Sequence, residues 1–230
     1  MSADFFSNNP IILRQKVEKY VFSANNKVIV SGTFEKNMVY SHYHDHQSYY
    51  KTIISVERKS GNKDFIHVLI SEKNLAKCNM VSTTSIKGRH AEILGTFDSY
   101  DEYDQQNKLH LKLYISAKKI NLNADIQEVD TNIIYLNGAI CKPPIFRTTS
   151  LGKNVTECMI SVRRKNGSKD YIPCICWKNV AYNISKLSVK DQIELYGRIQ
   201  SRKYFKKLSE TETIEKEVYE ISILFFRIVR

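Results

Sequence analysis

Tyr171 and Trp177 lie six positions apart in a short apolar segment, residues 170–177. The segment that follows it has the apolar spacing of a helix. The length and composition of residues 170–177 predict a β-strand. Because side chains alternate along a strand, both rings would lie on one face, with Ile172 and Cys174 toward the core. Exposed rings stack on unpaired nucleobases at about 1–3 kcal/mol per base, whatever the base. This spacing therefore predicts a stacking surface for single-stranded nucleic acid.

Basic residues share the predicted outward face. Arg163 follows the same alternation on the preceding predicted strand, and Arg198 and Arg202 on a later one. Cations in such positions bind the phosphates of a single strand. The alternative is that the rings pack in the core and the cations are only solvated, but the shared alternation favours binding. The candidate nucleic-acid-binding residues are Lys142, Arg147, Arg163, Lys165, Lys169, Tyr171, Trp177, Lys178, Arg198, Arg202, Lys203 and Tyr204.

A second copy of the pattern lies 106 residues earlier in the chain. Residues 160–172 read ISVRRKNGSKDYI and residues 54–66 read ISVERKSGNKDFI, with nine of thirteen positions identical. The same offset aligns Gly32 with Gly138. Each copy is about 100 residues long, enough to bury its own core. The repeat therefore indicates a duplicated domain, and not a solenoid of short units.

Each copy predicts five strands, with a short helix between the third and the fourth. This order is typical of the OB-fold, a five-stranded Greek-key barrel. We therefore expect an all-β chain of two tandem OB-folds. The predicted parts are a leader at 1–25, a first barrel at 26–120, a linker at 121–131 and a second barrel at 132–230. The acidic segment 98–108 is predicted to be a loop.

The net charge of +11 is concentrated in the second copy. Residues 132–207 carry 15 basic and four acidic side chains, whereas residues 1–131 carry a net charge of only +2. A basic surface attracts polyanions, nucleic acid first and anionic lipid second. The sequence has no long apolar run, so no membrane span is predicted. Five cysteines indicate reduced thiols, and no signal pattern is evident, so we expect a cytoplasmic protein.

The second copy resembles the bacterial single-stranded DNA-binding protein family over about residues 132–223. The resemblance rests on an ordered set of segments: NIIYLNG at 132–138, KPPIFR at 142–147, GKNV at 152–155, DYIPC at 170–174, WKNVA at 177–181 and GRIQSRKY at 197–204. It implies sequence-nonspecific coating of single-stranded DNA in replication, recombination or repair. It also implies that Tyr171, Trp177 and Tyr204 stack on bases, and that the protein is nucleoid-associated.

The first copy departs from the family. Phe65 stands at the position of Tyr171, but Ser71 replaces Trp177. With its low net charge, the first barrel is predicted to bind DNA weakly or to serve assembly. Its weaker candidate residues are Lys36, Arg58, Lys63, Phe65, Tyr100 and Tyr103.

The family resemblance also bears on partners. Family members assemble four barrels, which implies a homodimer for a chain that has two. They usually end in a flexible acidic tail that recruits partners, whereas this chain ends ISILFFRIVR. Tail-mediated recruitment is therefore not expected.

His42, His44 and His46 alternate, so an extended segment would place three imidazoles on one side, as for a transition metal. An exposed polar loop, or a loop that contacts nucleic acid, is the better interpretation. Cys174 and Cys176 have the alternation of core residues. The sequence contains no glycine-rich phosphate loop and no spacing typical of a catalytic triad, so neither an enzyme nor a cofactor is predicted. The alternative functions are a primosome-like or scaffold OB-fold protein and, less favoured, a metal-dependent nuclease.

Overall fold

The computed structural model describes residues 25–103, 107, 109–122, 130–207 and 213–229. The elements of the first half are β1 Asn26–Phe34, β2 Val39–His44, β3 Gln47–Glu57, β4 Lys63–Ser71, α1 Glu72–Lys77, β5 His90–Tyr103 and β6 Leu109–Asn121. Those of the second half are β7 Asn132–Ile140, β8 Ile145–Thr148, β9 Asn154–Arg163, β10 Lys169–Trp177, α2 Lys178–Ile184, β11 Gln192–Lys207 and β12 Thr213–Ile228. Among the described residues, neither helix is long and apolar enough to span a membrane.

The twelve described strands form one sheet in the order β2-β3-β4-β6-β5-β1-β7-β11-β12-β10-β9-β8. Additional β1–β3 and β7–β9 pairings close each half into a barrel. The barrels are joined where β1 and β7 pair antiparallel, from Asn26 opposite Leu136 to Val30 opposite Asn132. The predicted all-β chain with two tandem OB-folds is confirmed. Each half also has a short arm, β2 or β8, that the sequence analysis did not predict as a strand.

The barrel interiors follow from the alternation of the repeated sequence. Inward positions carry β-branched aliphatic residues, which suit a half-buried pleated surface. The two cores use matching positions, since Ile54 and Ile66 of the first barrel correspond to Ile160 and Ile172 of the second, all fully buried. The repeat therefore encodes the same core twice, and differences between the barrels lie outside it.

Both repeats have a glycine where two strands of the barrel approach closely, β1 and β3 in the first barrel and β7 and β9 in the second. A Cβ atom on Gly32 would lie 2.1 Å from the Ser55 carbonyl oxygen, and one on Gly138 would lie 2.5 Å from that of Ser161. Both distances are far below van der Waals contact, so only glycine allows the strands to approach here. This close approach closes each barrel.

Strand β5 is longer than predicted. The expectation of a loop at 98–108 is wrong for residues 98–103, which continue the strand and pair with β6. The reason is a contact outside the first barrel. The Ser99 N–H donates to the buried Asp170 carboxylate of the second barrel at 2.6 Å, and the Ser99 hydroxyl accepts from the Tyr171 N–H at 3.0 Å. The Arg164 guanidinium also binds Asp170, with Nε at 2.9 Å.

A second contact, from β11 of the second barrel to Asp64 of the first, has the same arrangement. The buried Asp64 of the first barrel accepts from the Ser201 N–H of β11 at 2.9 Å and from Arg58 Nε at 2.6 Å. The Ser201 hydroxyl accepts from the Phe65 N–H at 3.0 Å. We call these two sets the reciprocal inter-barrel contacts. Each barrel therefore lends one long hairpin to the other, in a pseudo-twofold arrangement.

The outer face of the sheet is apolar where β1 meets β7. We call this patch the junction cluster: Ile29, Leu94, Ile133, Tyr135 and Tyr196, with Leu224 and Phe225 packed against it. The Tyr135 and Tyr196 rings are 5.1 Å apart. Burial, followed by the nearby Glu194 carboxylate, raises the pKa of Tyr135 to about 12, so this phenol stays neutral. The phenol therefore adds no charge to the cluster, and the Lys27 ammonium lies 5.8 Å from the centroid of its ring.

Candidate nucleic-acid interface

The strand register of the second barrel shows how Tyr171 and Trp177 are placed. Both point away from the core on β10, with 45% and 38% of their surfaces exposed, whereas Ile172, Cys174 and Cys176 are buried. Six residues of strand separate the two rings, a distance of about 20 Å. The predicted alternation of β10 is therefore correct, and the two rings lie on one outward surface.

Cationic residues lie at both ends of this surface. At one end, Val155 of β9 pairs with Trp177 of β10 on one side and with Arg147 of β8 on the other. At the other end, Arg163 is opposite Lys169, two register pairs beyond Tyr171. We call this outer surface of β8, β9 and β10 the β9–β10 face. Two stacking rings with cations beyond each form a path suited to a single polynucleotide.

A small polar depression borders the Tyr171 end of the β9–β10 face. It has a volume of about 220 Å³, and its lining residues include Gly138, Ala139, Ser161, Arg163 and Lys169. Asn25 donates to the Arg163 carbonyl oxygen at 2.7 Å and so fixes the strand edge here. Two cations and a hydroxyl in one depression suit a phosphate.

The backbone at Trp177 is unusual. Trp177 is the N-cap of α2 with an extended conformation, and Lys178 follows with a φ of 58°. A left-handed lysine is uncommon, and such strained residues occur preferentially at functional sites. The abrupt change from strand to helix leaves the indole at the edge of β10. The candidate Lys178 is exposed beside it.

One cation of the β9–β10 face already has a partner. Arg147 pairs with Glu157 at 2.5 Å, and both side chains are about half exposed. An exposed ion pair contributes little stability, about 0–1 kcal/mol, so a phosphate can compete for this guanidinium. Lys142, Lys165 and Lys169 are exposed.

Strand β11 does not extend the β9–β10 face as expected. In the sheet order, β12 lies between β11 and β10, so the outward residues of β11 face elsewhere. Arg198 lies near Arg58 and Asp64 at the reciprocal contacts, where burial, followed by Arg58, lowers its pKa. Arg202 is exposed and pairs with Glu220 at 3.1 Å. The expectation that three strands share one face with Tyr171 and Trp177 is thus wrong for Arg198. The side chains of Lys203 and Tyr204 lie outside the described residues.

The weaker candidates of the first barrel divide into three groups. Arg58 is bound to Asp64, the carboxylate that accepts from the Ser201 N–H of the second barrel. Phe65 is 38% exposed at the position equivalent to Tyr171, and Lys63 is exposed beside Glu57 at 3.9 Å. Lys36 and Tyr100 line a separate cleft on the first barrel. The side chain of Tyr103 lies outside the described residues.

The histidine segment forms a tight hairpin. Asp45 and His46, with φ of 50° and 56°, make the two-residue turn between β2 and β3. His42 stacks on Tyr49 at 4.9 Å with an interplanar angle of 9°. Among the described residues, no group of three or more His, Cys, Asp or Glu side chains is placed to hold a metal ion. The metal-ligand alternative for His42, His44 and His46 is therefore not supported, because pairing of β2 with β3 directs His42 against an aromatic ring.

The cysteines of β10 lie in the core, as their alternation indicated. Cys174 is opposite Cys158 in the register, and Cys176 is fully buried. Burial raises the pKa of Cys176 to about 12, so its thiol stays protonated. These side chains act as small apolar core residues.

Sequence reasoning missed several residues that the structure exposes near the candidate surfaces. Phe146 lies on the arm β8, with 42% of its surface exposed next to Arg147. Its position in the KPPIFR segment was the available signal, but the arm was not predicted as a strand. His67 and Tyr219, from different barrels, lie with the Tyr219 hydroxyl 3.2 Å from His67 Nε2. No local pattern indicates that contact, because 152 residues separate them.

Comparison with known proteins agrees with this geometry. Residues 131–225 match the single-strand binding protein family. The fold is similar to that of the wild-type single-stranded DNA-binding protein from Thermus aquaticus, with a TM-score of 0.68 and 15% identity over 89% of this chain and 93% of that chain. A deletion mutant of the Thermus aquaticus protein gives a TM-score of 0.69 and 14% identity over 89% of this chain and 94% of that one. No curated protein sequence matches. The second barrel is therefore similar in sequence to the single-strand binding protein family, and the whole chain has the fold of the Thermus aquaticus protein.

Proposed function

We propose that this chain binds single-stranded DNA without sequence preference, coating and protecting unpaired strands in replication, recombination or repair. The observation that carries the proposal is the β9–β10 face. Tyr171 and Trp177 are exposed on it about 20 Å apart, with Arg147 beyond one ring and Arg163 and Lys169 beyond the other. The family match over the same barrel supports it.

The binding is stoichiometric, with no bond made or broken. Bases leave the duplex stack and lie against the two rings, which accept any base because every base has a flat face. The cations hold phosphates and release counterions, so affinity falls as salt rises. A duplex keeps its bases stacked inside and cannot use the rings. For a protein that coats unpaired strands we propose a cytoplasmic, nucleoid-associated location, because its ligand lies there.

The proposal is tested by titrating labelled oligo-dT and a duplex of equal length at two salt concentrations. We expect preference for the single strand, a loss of affinity with salt, and quenching of the fluorescence of Trp177, which is the sole tryptophan. Equal affinity for the duplex would overturn the proposal. Binding without any change in Trp177 fluorescence would argue against the β9–β10 face.

A homodimer with four barrels is the assembly that the junction cluster favours. This cluster leaves Leu224 and Phe225 half-buried on the outer face of the sheet. Glu194 and Arg227 pair at the rim, with Arg227 Nε at 2.5 Å from the carboxylate. The five central residues of the cluster are already buried within the single chain, so Leu224 and Phe225 are the apolar surface that it offers to a partner. A twofold axis would place this surface on its own copy, with the polar pair at the rim. A primosome-like or scaffold protein, with protein assembly as its main role and nucleic-acid binding secondary, is the alternative function. A pull-down with nucleic-acid-free protein distinguishes it, because only the alternative requires a protein partner.

A further inference from the structure

Three of the five cysteines lie close together inside the second barrel. Cys158 of β9 and Cys174 and Cys176 of β10 are all buried. Cys174 is directly opposite Cys158 in the antiparallel register, whereas Cys176 is opposite Thr156. Because residues opposite each other point to the same side of a sheet, the Cys158 and Cys174 thiols meet inside the core, where they are hydrogen-bonded.

The register also gives the separation of the two backbones. At the turn between β9 and β10, the Arg164 N–H donates to the Ser168 carbonyl oxygen at 2.8 Å, so these residues form a hydrogen-bonded pair. Hydrogen-bonded and non-hydrogen-bonded pairs alternate along antiparallel strands, and counting from the turn makes Cys158 and Cys174 a hydrogen-bonded pair. Pro173, which has no N–H, falls in a non-hydrogen-bonded pair, as this count requires.

A disulfide between these two cysteines is within reach but strained. The Cα atoms of a hydrogen-bonded pair are about 5.5 Å apart, inside the range of about 4.4–6.8 Å that a disulfide spans. Their Cβ atoms are also about 5.5 Å apart, however, and a disulfide needs about 3.5–4.5 Å, so β9 must move toward β10 by about 1 Å. Strain of this kind makes a disulfide easier to reduce, which is the property of regulatory bonds and not of structural ones.

Strand β9 changes partner at Cys158, and this change of partner favours the movement. On the edge of β9 away from β10, β8 pairs as far as Glu157 and β7 pairs from Ile160. The Cys141 N–H donates to the Met159 carbonyl oxygen at 2.9 Å at the same place. Because Cys158 lies between the β8 and β7 pairings, it can approach β10 with little disruption of either.

From this arrangement we propose that Cys158 and Cys174 are a peroxide-responsive modification site, which closes to a disulfide across β9 and β10. In the first step the Cys158 sulfur attacks one peroxide oxygen, the O–O bond breaks, and a sulfenic acid and one water form. In the second step the Cys174 sulfur attacks the Cys158 sulfur, and the hydroxyl leaves with the Cys174 proton as a second water. Two electrons pass from the two sulfurs to the peroxide. The proposal does not rest on nucleic-acid binding.

The surroundings of the two thiols set the order of these steps. Cys158 is 7% exposed and Cys174 only 2%. Burial, followed by the hydrogen bond to Cys158, raises the pKa of Cys174 well above its ordinary value. A neutral thiol is a poor nucleophile, so Cys158 reacts with the oxidant and Cys174, held against it, resolves the sulfenic acid.

The site lies directly beneath the β9–β10 face. Cys174 is midway between Tyr171 and Trp177 on β10 and points to the other side of the sheet. Closing the bond draws β9 toward β10 between the two exposed rings. Oxidation of the core is therefore coupled to the geometry of that face.

The test treats the folded full chain with excess hydrogen peroxide, removes the peroxide, unfolds the chain in an alkylating agent and digests it with trypsin without reduction. Cleavage after lysine and arginine places Cys158 in peptide 154–163 and Cys174 in peptide 170–178. Mass spectrometry should show these two peptides linked, two hydrogens lighter than their sum. We expect the linked pair to increase at least about tenfold over the untreated chain and to disappear after dithiothreitol.

Peptide 170–178 also contains Cys176, so the position of the bond needs its own measurement. Fragmentation at Ile175 of the linked pair distinguishes Cys174 from Cys176 in the parent chain. Cys176→Ala should keep the linked pair, because residues diagonal to each other on paired strands are about 7–8 Å apart, too far for the bond. Cys174→Ala should abolish it. Circular dichroism shows whether each variant is folded, and the fragment spectrum of the parent chain decides the position if a variant is not.

The half-buried Cys141 reports whether enough peroxide was used. Oxidation of Cys141 while Cys158 and Cys174 are both recovered alkylated would overturn the proposal. A bond from Cys158 to Cys176 or to Cys141 would overturn it as well, and so would a chain in which excess peroxide oxidises no cysteine.

Discussion

At the scale of single residues, Trp177 decides whether the β9–β10 face binds bases. We expect Trp177→Ala to weaken oligo-dT binding by about 1–3 kcal/mol, because one stacked base is lost. The anisotropy of a labelled oligomer measures this affinity without using the fluorescence of Trp177, which the variant lacks. Tyr182→Ala is the matched control, since Tyr182 is 53% exposed on α2 and packs under Lys186 at 4.0 Å, outside the face. Equal affinity for the Trp177 variant and the parent chain would contradict stacking at this position.

The same scale shows what the sequence can predict. The outward positions of Tyr171 and Trp177 follow from strand alternation, which is a local property, and the structure agrees. The environment of Arg198 does not follow from alternation, because it depends on Arg58 and Asp64 of the other barrel. A basic residue of correct alternation can therefore lie between the two barrels, and sequence alone does not distinguish this position from a phosphate contact.

At the scale of elements, the reciprocal inter-barrel contacts should contribute more stability than any exposed ion pair. We expect Asp170→Ala to lower the free energy of unfolding by about 3–5 kcal/mol, since Arg164 and the Ser99 N–H lose a buried partner. Glu157→Ala removes an exposed carboxylate from Arg147 and should cost about 0–1 kcal/mol. Urea denaturation followed by circular dichroism measures both. Equal costs for the two variants would show that the buried contact does not stabilise the pair of barrels.

The order of the strands and helices could be predicted from the same alternation of aliphatic residues that predicts the core. Alternating aliphatic residues, punctuated by turn residues, encode five strands and a helix in each repeat. The arms β2 and β8 and the extension of β5 were missed because their residues are exposed or polar and carry no core alternation. Strand β5 is held instead by Asp170, 71 residues away.

At the scale of the whole molecule, the junction cluster should determine the oligomeric state. We expect Phe225→Glu to convert a homodimer into a monomer, because a charge in an apolar interface is costly to bury. Sedimentation velocity at several protein concentrations measures this. Val81→Glu, at a position 63% exposed and outside the cluster, should leave the dimer intact. A parent chain that sediments as a monomer at all concentrations would contradict the four-barrel assembly.

The β1–β7 pairing has a further consequence for behaviour on dilution. Because both strands belong to one polypeptide, mass action cannot separate these two barrels, whereas it can separate subunits that meet only across the sheet. At scarce copy number, a lone chain would still present a pair of neighbouring surfaces in fixed orientation. Tandem duplication therefore makes the pairing of these two barrels part of folding, so it does not depend on protein concentration.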